Sequence, residues 1–127
     1  MDQRHPFFLW LPVVVYMAAI FFTSSLPEVP GTEGVPDTIL HTVGYAGLAM
    51  TTLRATAGGR WSGMTLRAMI LAWVIATGYG VSDEWHQSFT PFRTPDLRDV
   101  ASDAIGSLVG LGLAGAWGIM RRDSHVL

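Results

Sequence analysis

The chain has 127 residues, of which half are hydrophobic and only 14% are charged, against about a quarter in ordinary soluble domains. This composition is typical of an integral membrane protein, and we expect the lipid bilayer to be its main partner. The eight basic residues are all arginines, they are scattered, and the net charge is −2, so no nucleic-acid partner is expected. The sequence has no cysteine, which excludes disulfides, thiolate metal ligands and cysteine nucleophiles.

The first apolar stretch, residues 6–26, is long enough to cross a bilayer. Asp2 beside Arg4 and the lack of a small-x-small cleavage site favour a retained helix over a signal peptide. Prolines follow shortly afterwards and predict that the helix ends there. Ser24 and Ser25 place two hydroxyl groups at this end.

A loop rich in proline and glycine leads to the second predicted helix, residues 37–56. Asp37, His41 and Tyr45 recur every four positions and therefore share one helix face. A histidine on such a face is about as often a hydrogen-bonded packing residue as a functional one. Its acidic and phenolic neighbours favour the functional interpretation.

A dense polar stretch, residues 82–99, holds four of the ten acidic residues between two apolar runs. Acidic groups at a membrane boundary are costly unless they meet a partner or water, so they are functional candidates by default. Helical spacing predicts that Asp83, His86 and Gln87 share a face, with Glu84 turned aside.

The third and fourth predicted helices, residues 64–87 and 96–120, flank a turn that two prolines impose. Asp99 and Asp103 are four apart and lie on one stripe of the fourth helix. Small residues of that helix also recur every four positions: Gly106, Gly110, Ala114 and Gly118. This second pattern favours close helix packing, within the chain or in a homo-oligomer through the fourth helix, over a mere abundance of glycine in membrane helices.

Arginine positions predict the orientation of the chain. With both termini and the loop between the second and third helices in the cytoplasm, six of the eight arginines lie inside, and Arg93 and Arg98 lie outside. We therefore predict an all-α integral membrane bundle of four transmembrane helices, one domain over residues 1–127. Polar groups from four helix ends then meet at the outer membrane face.

These side chains form the predicted outer-face polar site: Ser24, Ser25, Asp37, His41, Tyr45, Asp83, Glu84, His86, Gln87, Arg93, Asp99 and Asp103.

Several of these positions form one wider pattern, which comprises Asp83, Glu84, His86, Gln87, Phe89, Pro91, Arg93, Asp99, Val100 and Gly106. With it the chain resembles the VanZ-like family of small bacterial four-helix membrane proteins. The family's namesake is an accessory protein of glycopeptide resistance that gives modest protection against teicoplanin. The resemblance implies a multi-pass protein of the bacterial cytoplasmic (inner) membrane that acts in the cell envelope.

The chain departs from the family's pattern at three positions. Phe92 stands where glycine is usual, Thr38 where lysine is usual, and Asp103 where asparagine is usual. The last two departures remove a positive charge and add a negative one, which makes the predicted polar site more acidic.

Three classes of function fit the polar site. In the first, Arg93 and Arg98 bind the phosphate or carboxylate of a lipid, a lipid-linked envelope precursor or a glycopeptide-related ligand, contributing to teicoplanin resistance. In the second, the chain is a membrane-embedded hydrolase or transferase acting on a lipid-linked substrate. In the third, it is a structural or interaction protein, in which these two arginines and the acidic residues form an ion-pair network.

The catalytic candidates under the enzyme hypothesis are His41, Asp83, Glu84 and His86. The sequence contains no GxSxG nucleophile motif and no HExxH metal motif. The sequence therefore predicts no metal and no cofactor, and it leaves the three classes open.

Overall fold

Four α-helices make up most of residues 5–123, the part of the chain that the computed structural model describes. They are α1 (Pro6–Ser24), α2 (Asp37–Thr56), α3 (Leu66–Gln87) and α4 (Leu97–Asp123). A short 3₁₀ helix, Trp61–Gly63, lies between α2 and α3, and this part of the chain contains no strand. The predicted all-α class with four helices is confirmed. The side chains of Arg4, Arg121 and Arg122, on which the predicted orientation partly depends, lie outside the described residues.

Local signals fix where these helices begin and end. At the start of α1, His5 Nδ1 accepts a hydrogen bond of 3.2 Å from the backbone N–H of Phe7, and proline occupies the first turn. At the start of α3, the Thr65 hydroxyl accepts one of 3.2 Å from the N–H of Ala68, which satisfies an otherwise unpaired helix donor. These caps and the proline-bounded turn between α3 and α4 set the lengths of the helices.

Helix α2 is the central helix, since it packs against α1, α3 and α4. Its buried side chains include Leu48, Ala49 and Leu53. On the facing surface of α3, Ala72 and Ala76 are fully buried, and their small size allows close approach of the two backbones. Because α2 packs against all three neighbours, Tyr45 and Thr52 are buried and His41 is half-buried.

Among the described residues, two helices are long and apolar enough to cross a membrane, namely α1 and the Leu97–Met120 part of α4. Large apolar side chains on both are exposed, such as Phe22 on α1 and Leu113 on α4. The polar start of α2 and the polar end of α3 lower the hydropathy of these two helices.

The small residues of α4 bring it against α2. A Cβ atom added at Gly106 would collide with the carbonyl oxygen of Thr42, and one added at Gly110 would collide with that of Ala46. At Gly112, by contrast, an added Cβ would meet nothing within 4 Å. The stripe therefore packs within the chain, and a homo-oligomer through α4 stays a prediction.

Candidate functional site

A cavity of about 400 Å³ opens at one end of the bundle, where α1 and α3 end and α2 and α4 begin. All four helices contribute to its wall, with Ser24 from α1, His41 and Tyr45 from α2, Asp83 and Gln87 from α3, and Asp99 from α4. The Thr23–Ser24 end of α1 and the following loop form one side. The structure thus brings many of the predicted site residues around one space.

His41 is the centre of the polar contacts around this cavity. Its Nδ1 lies 2.6 Å from Oδ1 of Asp103 on α4, and its Nε2 lies 3.8 Å from Oδ2 of Asp99, one turn earlier. Asp103 is fully buried. The four-residue spacing of the two aspartates on α4 therefore places both carboxylates beside one imidazole.

Tyr45 connects the same face of α2 to α3. Its ring is nearly parallel to that of His41, at an angle of 2° with 6.1 Å between the ring centres. Its hydroxyl donates a hydrogen bond of 3.4 Å to Oδ2 of Asp83. Asp37, at the start of α2, is exposed and contributes to the cavity wall.

Glu84 lies in the interface between helices, and the prediction that it turns aside is wrong. It is only 7% exposed, and its Oε2 accepts a hydrogen bond of 2.9 Å from the backbone N–H of Asp96. The reason is that α4 begins directly beside the last turn of α3. Asp83, Glu84 and Gln87 are all buried and form the inner face of that turn.

His86 points away from the other predicted residues of α3, toward α1. Its Nε2 lies 3.0 Å from the Ser25 hydroxyl oxygen, and its ring stacks on Phe21 with 4.3 Å between ring centres. The predicted shared face with Asp83 and Gln87 is therefore wrong for His86. Ser25 and His86 form a separate pair outside the cavity wall.

Arg93 binds the end of α1 instead of an acidic side chain. Its Nε donates a hydrogen bond of 2.8 Å to the carbonyl of Leu26, and one Nη donates to that of Thr23 at 3.4 Å. Carbonyl groups at a helix end lack partners within the helix, and a guanidinium group satisfies them well. The predicted ion-pair network of arginines and acidic residues is not formed among the described residues, whose ion pairs are those of His41. Arg98 is exposed and lies outside the cavity wall.

Three buried carboxylate oxygens have no hydrogen-bond partner: Asp83 Oδ1, Glu84 Oε1 and Asp103 Oδ2. Gly80 on α3 makes room for the last of these, because an added Cβ would lie 2.5 Å from Asp103 Oδ2. Gly80 is absent from the site predicted from the sequence. Its place on α3 one turn before Asp83 was the only signal that could have suggested it.

A sequence model of the VanZ/LLP1 family matches residues 7–118. The chain belongs to the VanZ/LLP1 family. No curated protein and no solved structure matches the chain. The suspected family is confirmed, and the match covers all four helices except the last residues of α4 and the first residue of α1.

The geometry gives physical meaning to two departures from the VanZ pattern. Phe92 has φ of 67°, a left-handed conformation that favours the glycine usual in the family, and its side chain is 90% exposed at the rim of the cavity. Asp103 puts a carboxylate where asparagine is usual and binds His41 with it. Thr38 lies exposed in the first turn of α2.

Proposed function

We propose that this VanZ/LLP1-family chain is a multi-pass protein of the bacterial cytoplasmic membrane whose cavity binds the polar headgroup of a cell-envelope ligand. The ligand is a lipid, a lipid-linked envelope precursor or a glycopeptide-related molecule, and binding contributes to glycopeptide resistance. The observation that carries the proposal is the cavity of about 400 Å³ at the common end of four helices. Its wall contains one arginine and several acidic residues.

Helix lengths support four membrane crossings with both termini in the cytoplasm. α2 and α3 have 20 and 22 residues, so each is about 30 Å long, which is the thickness of the hydrocarbon core. Arg54, Arg60 and Arg67 lie near the end of α2 and the start of α3, away from the cavity. The preference of arginine for the cytoplasmic side therefore supports a cavity at the outer face.

The cavity wall has two chemically different sides. Arg93 uses two N–H groups on α1, which leaves donors of its guanidinium group for a phosphate or carboxylate. Asp37 and Asp99 offer acceptors to hydroxyl or amine groups. A volume of about 400 Å³ is near the lower end of small-molecule sites, so we expect a headgroup or a peptide end to enter, with the rest of the ligand outside.

The decisive test uses a variant whose new side chain fills the cavity while every polar side chain is kept. Gly44 lines the cavity, and an added Cβ there would meet nothing within 4 Å, so Gly44→Leu should fold and occupy the space. Gly112→Leu is the matched control, since Gly112 is equally open on the exposed side of α4. The readout is the teicoplanin and vancomycin susceptibility of a bacterium that expresses each variant or none.

We expect the wild-type chain and Gly112→Leu to reduce susceptibility, and Gly44→Leu to behave like the empty vector at equal folded amounts. In a second measurement, short-chain phosphatidylglycerol should raise the melting temperature of the wild type and the control in micelles, but not that of Gly44→Leu. If Gly44→Leu equals the control in both measurements, the cavity is not the ligand site.

The Asp103–His41 pair favours a second candidate, a membrane hydrolase or transferase that acts on a lipid-linked substrate. A carboxylate 2.6 Å from Nδ1 orients an imidazole so that Nε2 can accept a proton from water or a substrate hydroxyl. Among the catalytic candidates, His86 lies outside this arrangement. Phosphate release from a polyprenyl pyrophosphate by the wild type, lost in His41→Gln, would support an enzyme, and no release by either protein would exclude this substrate.

A further inference from the structure

Three side chains of the kinds that ligate metals come together beside the cavity, and two of them line its wall. His41 comes from α2, and Asp83 and Glu84 come from the last turns of α3. Each has one ligand atom that lies within 4.8 Å of the others. We propose that these three residues bind a divalent transition-metal ion, in a site that does not depend on the ligand proposed above.

The acidic residues of the cluster have buried oxygens without partners. Asp83 and Glu84 are 4% and 7% exposed, and in each one oxygen has a partner while the other has none. Oδ2 of Asp83 accepts from Tyr45 and Oε2 of Glu84 accepts from the N–H of Asp96, whereas Oδ1 and Oε1 are unpartnered. Buried charges are ordinarily paired or metal-bound, so the two free oxygens point to a cation.

The orientation of His41 also fits a metal ligand. Metal-binding histidines usually donate one ring N–H to a carboxylate or carbonyl and bind the metal with the other nitrogen. In this chain Nδ1 of His41 lies 2.6 Å from Oδ1 of Asp103, within hydrogen-bond distance. Nε2 is then the nitrogen that binds the ion. Asp99 Oδ2 lies 3.8 Å from Nε2 and outside the three-residue cluster, so it adds negative charge beside the site.

Negative charge is in excess around His41. The carboxylates of Asp83, Glu84, Asp99 and Asp103 lie around its imidazole. Among the described residues, the ion pairs of Asp99 and Asp103 are to His41 and not to an arginine. A divalent ion would offset this excess of negative charge. One nitrogen with two carboxylate oxygens suits Zn²⁺ or Mn²⁺ better than Mg²⁺ or Ca²⁺, which favour all-oxygen sites. Asp83 and His41 line the cavity, which gives the ion a path from outside.

The test uses the full chain in micelles, with any purification tag removed and bound metal stripped by chelation. We expect the wild type to bind one Zn²⁺ or Mn²⁺ per chain in calorimetric titration, with a higher melting temperature in the presence of the ion. Asp83→Asn and Glu84→Gln keep an acceptor oxygen for Tyr45 and for the Asp96 N–H. They should weaken binding by at least about 100-fold, because changing even an outer partner of a ligand costs about 10–100-fold.

Glu28→Gln is the matched control, because Glu28 lines the same cavity but lies outside the cluster; it should bind the ion like the wild type. If either cluster variant fails to fold, the test is made on the wild type alone, by NMR. Zn²⁺ should then shift the ring ¹⁵N resonances of His41 and leave those of His86 unchanged. The proposal is overturned if the wild type shows no saturable binding of either ion, if folded cluster variants bind as tightly as the control, or if the His41 resonances do not respond.

Discussion

The close packing of α4 on α2 predicts a large difference between two glycines of the same helix. In Gly110→Ala, the new Cβ would lie 2.9 Å from both the Cα and the carbonyl carbon of Ala46 and would collide with its oxygen. These are backbone atoms, so a helix must move rather than a side chain. In Gly112→Ala, the new Cβ meets nothing within 4 Å.

The difference in the free energy of unfolding can be estimated because one contribution is the same in both variants and cancels. Replacing glycine by alanine within a helix stabilises it by about 0.5–1 kcal/mol, and this gain is common to both variants. Overpacking of a close contact costs about 1–3 kcal/mol, and only Gly110→Ala incurs that cost. We therefore expect Gly110→Ala to have a free energy of unfolding about 1–3 kcal/mol lower than that of Gly112→Ala.

Reversible unfolding by denaturing detergent in mixed micelles, followed by tryptophan fluorescence, measures this difference. Free energies of unfolding for the two variants that agree within about 0.5 kcal/mol, the scale of ordinary surface substitutions, would contradict the packing derived for α4. Gly106→Ala extends the test to the site. Gly106 contacts Thr42, the neighbour of His41, so displacement there should also weaken the contact between His41 and Asp103.

Three further predictions concern the rim of the cavity and the orientation. Arg93→Gln should lower the free energy of unfolding by about 1.5–3 kcal/mol, the value of a hydrogen bond from a charged donor. Adding Glu84→Gln should not restore it, and a recovery would instead indicate an ion pair. Phe92→Gly should raise the free energy of unfolding by up to about 1 kcal/mol by relieving a left-handed backbone, whereas a loss would mean that the exposed ring packs on something. In intact cells, a cysteine at Thr94 should react with a membrane-impermeant thiol reagent and one at Ser62 should not; the reverse pattern would place the cavity in the cytoplasm.

The sequence could predict the number of helices because that signal is local. Apolar runs, prolines and caps lie within or next to each helix, so the all-α class with four helices follows without any tertiary information. The same holds for the face shared by His41 and Tyr45, where a spacing of four residues gives nearly parallel rings at 2°. Features that depend on one helix alone could therefore be predicted from the sequence.

The rotation of α3 about its own axis could not be predicted in this way. Helical periodicity fixes the angles between Asp83, Glu84 and His86 on the helix, but it does not fix which of them faces a neighbour. The start of α4 lies beside Glu84, whose carboxylate accepts from the N–H of Asp96, and this contact turns His86 toward α1. Such a contact depends on how the α3–α4 turn returns the chain, which no residue pattern within α3 reveals.

The partner of Arg93 was missed for a different reason. Charge complementarity suggests an acidic partner, and Glu84 and Asp99 lie nearby in the sequence. Arg93 instead binds carbonyl groups at the end of α1. These carbonyls have no partner within the helix, and they lie within hydrogen-bond distance of the Arg93 guanidinium group. The consequence is that the carboxylates around His41 have no arginine partner among the described residues.

The lack of an arginine partner for these carboxylates is relevant to the function of the site. A buried pair or cluster of charges is often less stable than apolar residues of the same size, so stability alone does not explain four carboxylates around one imidazole. Gly80 adds to this, because a Cβ there would lie 2.5 Å from Asp103 Oδ2. The absence of a side chain on α3 at this position makes room for the Asp103 carboxylate. An arrangement of this kind is expected of a binding site whose ligand or ion supplies the missing positive charge.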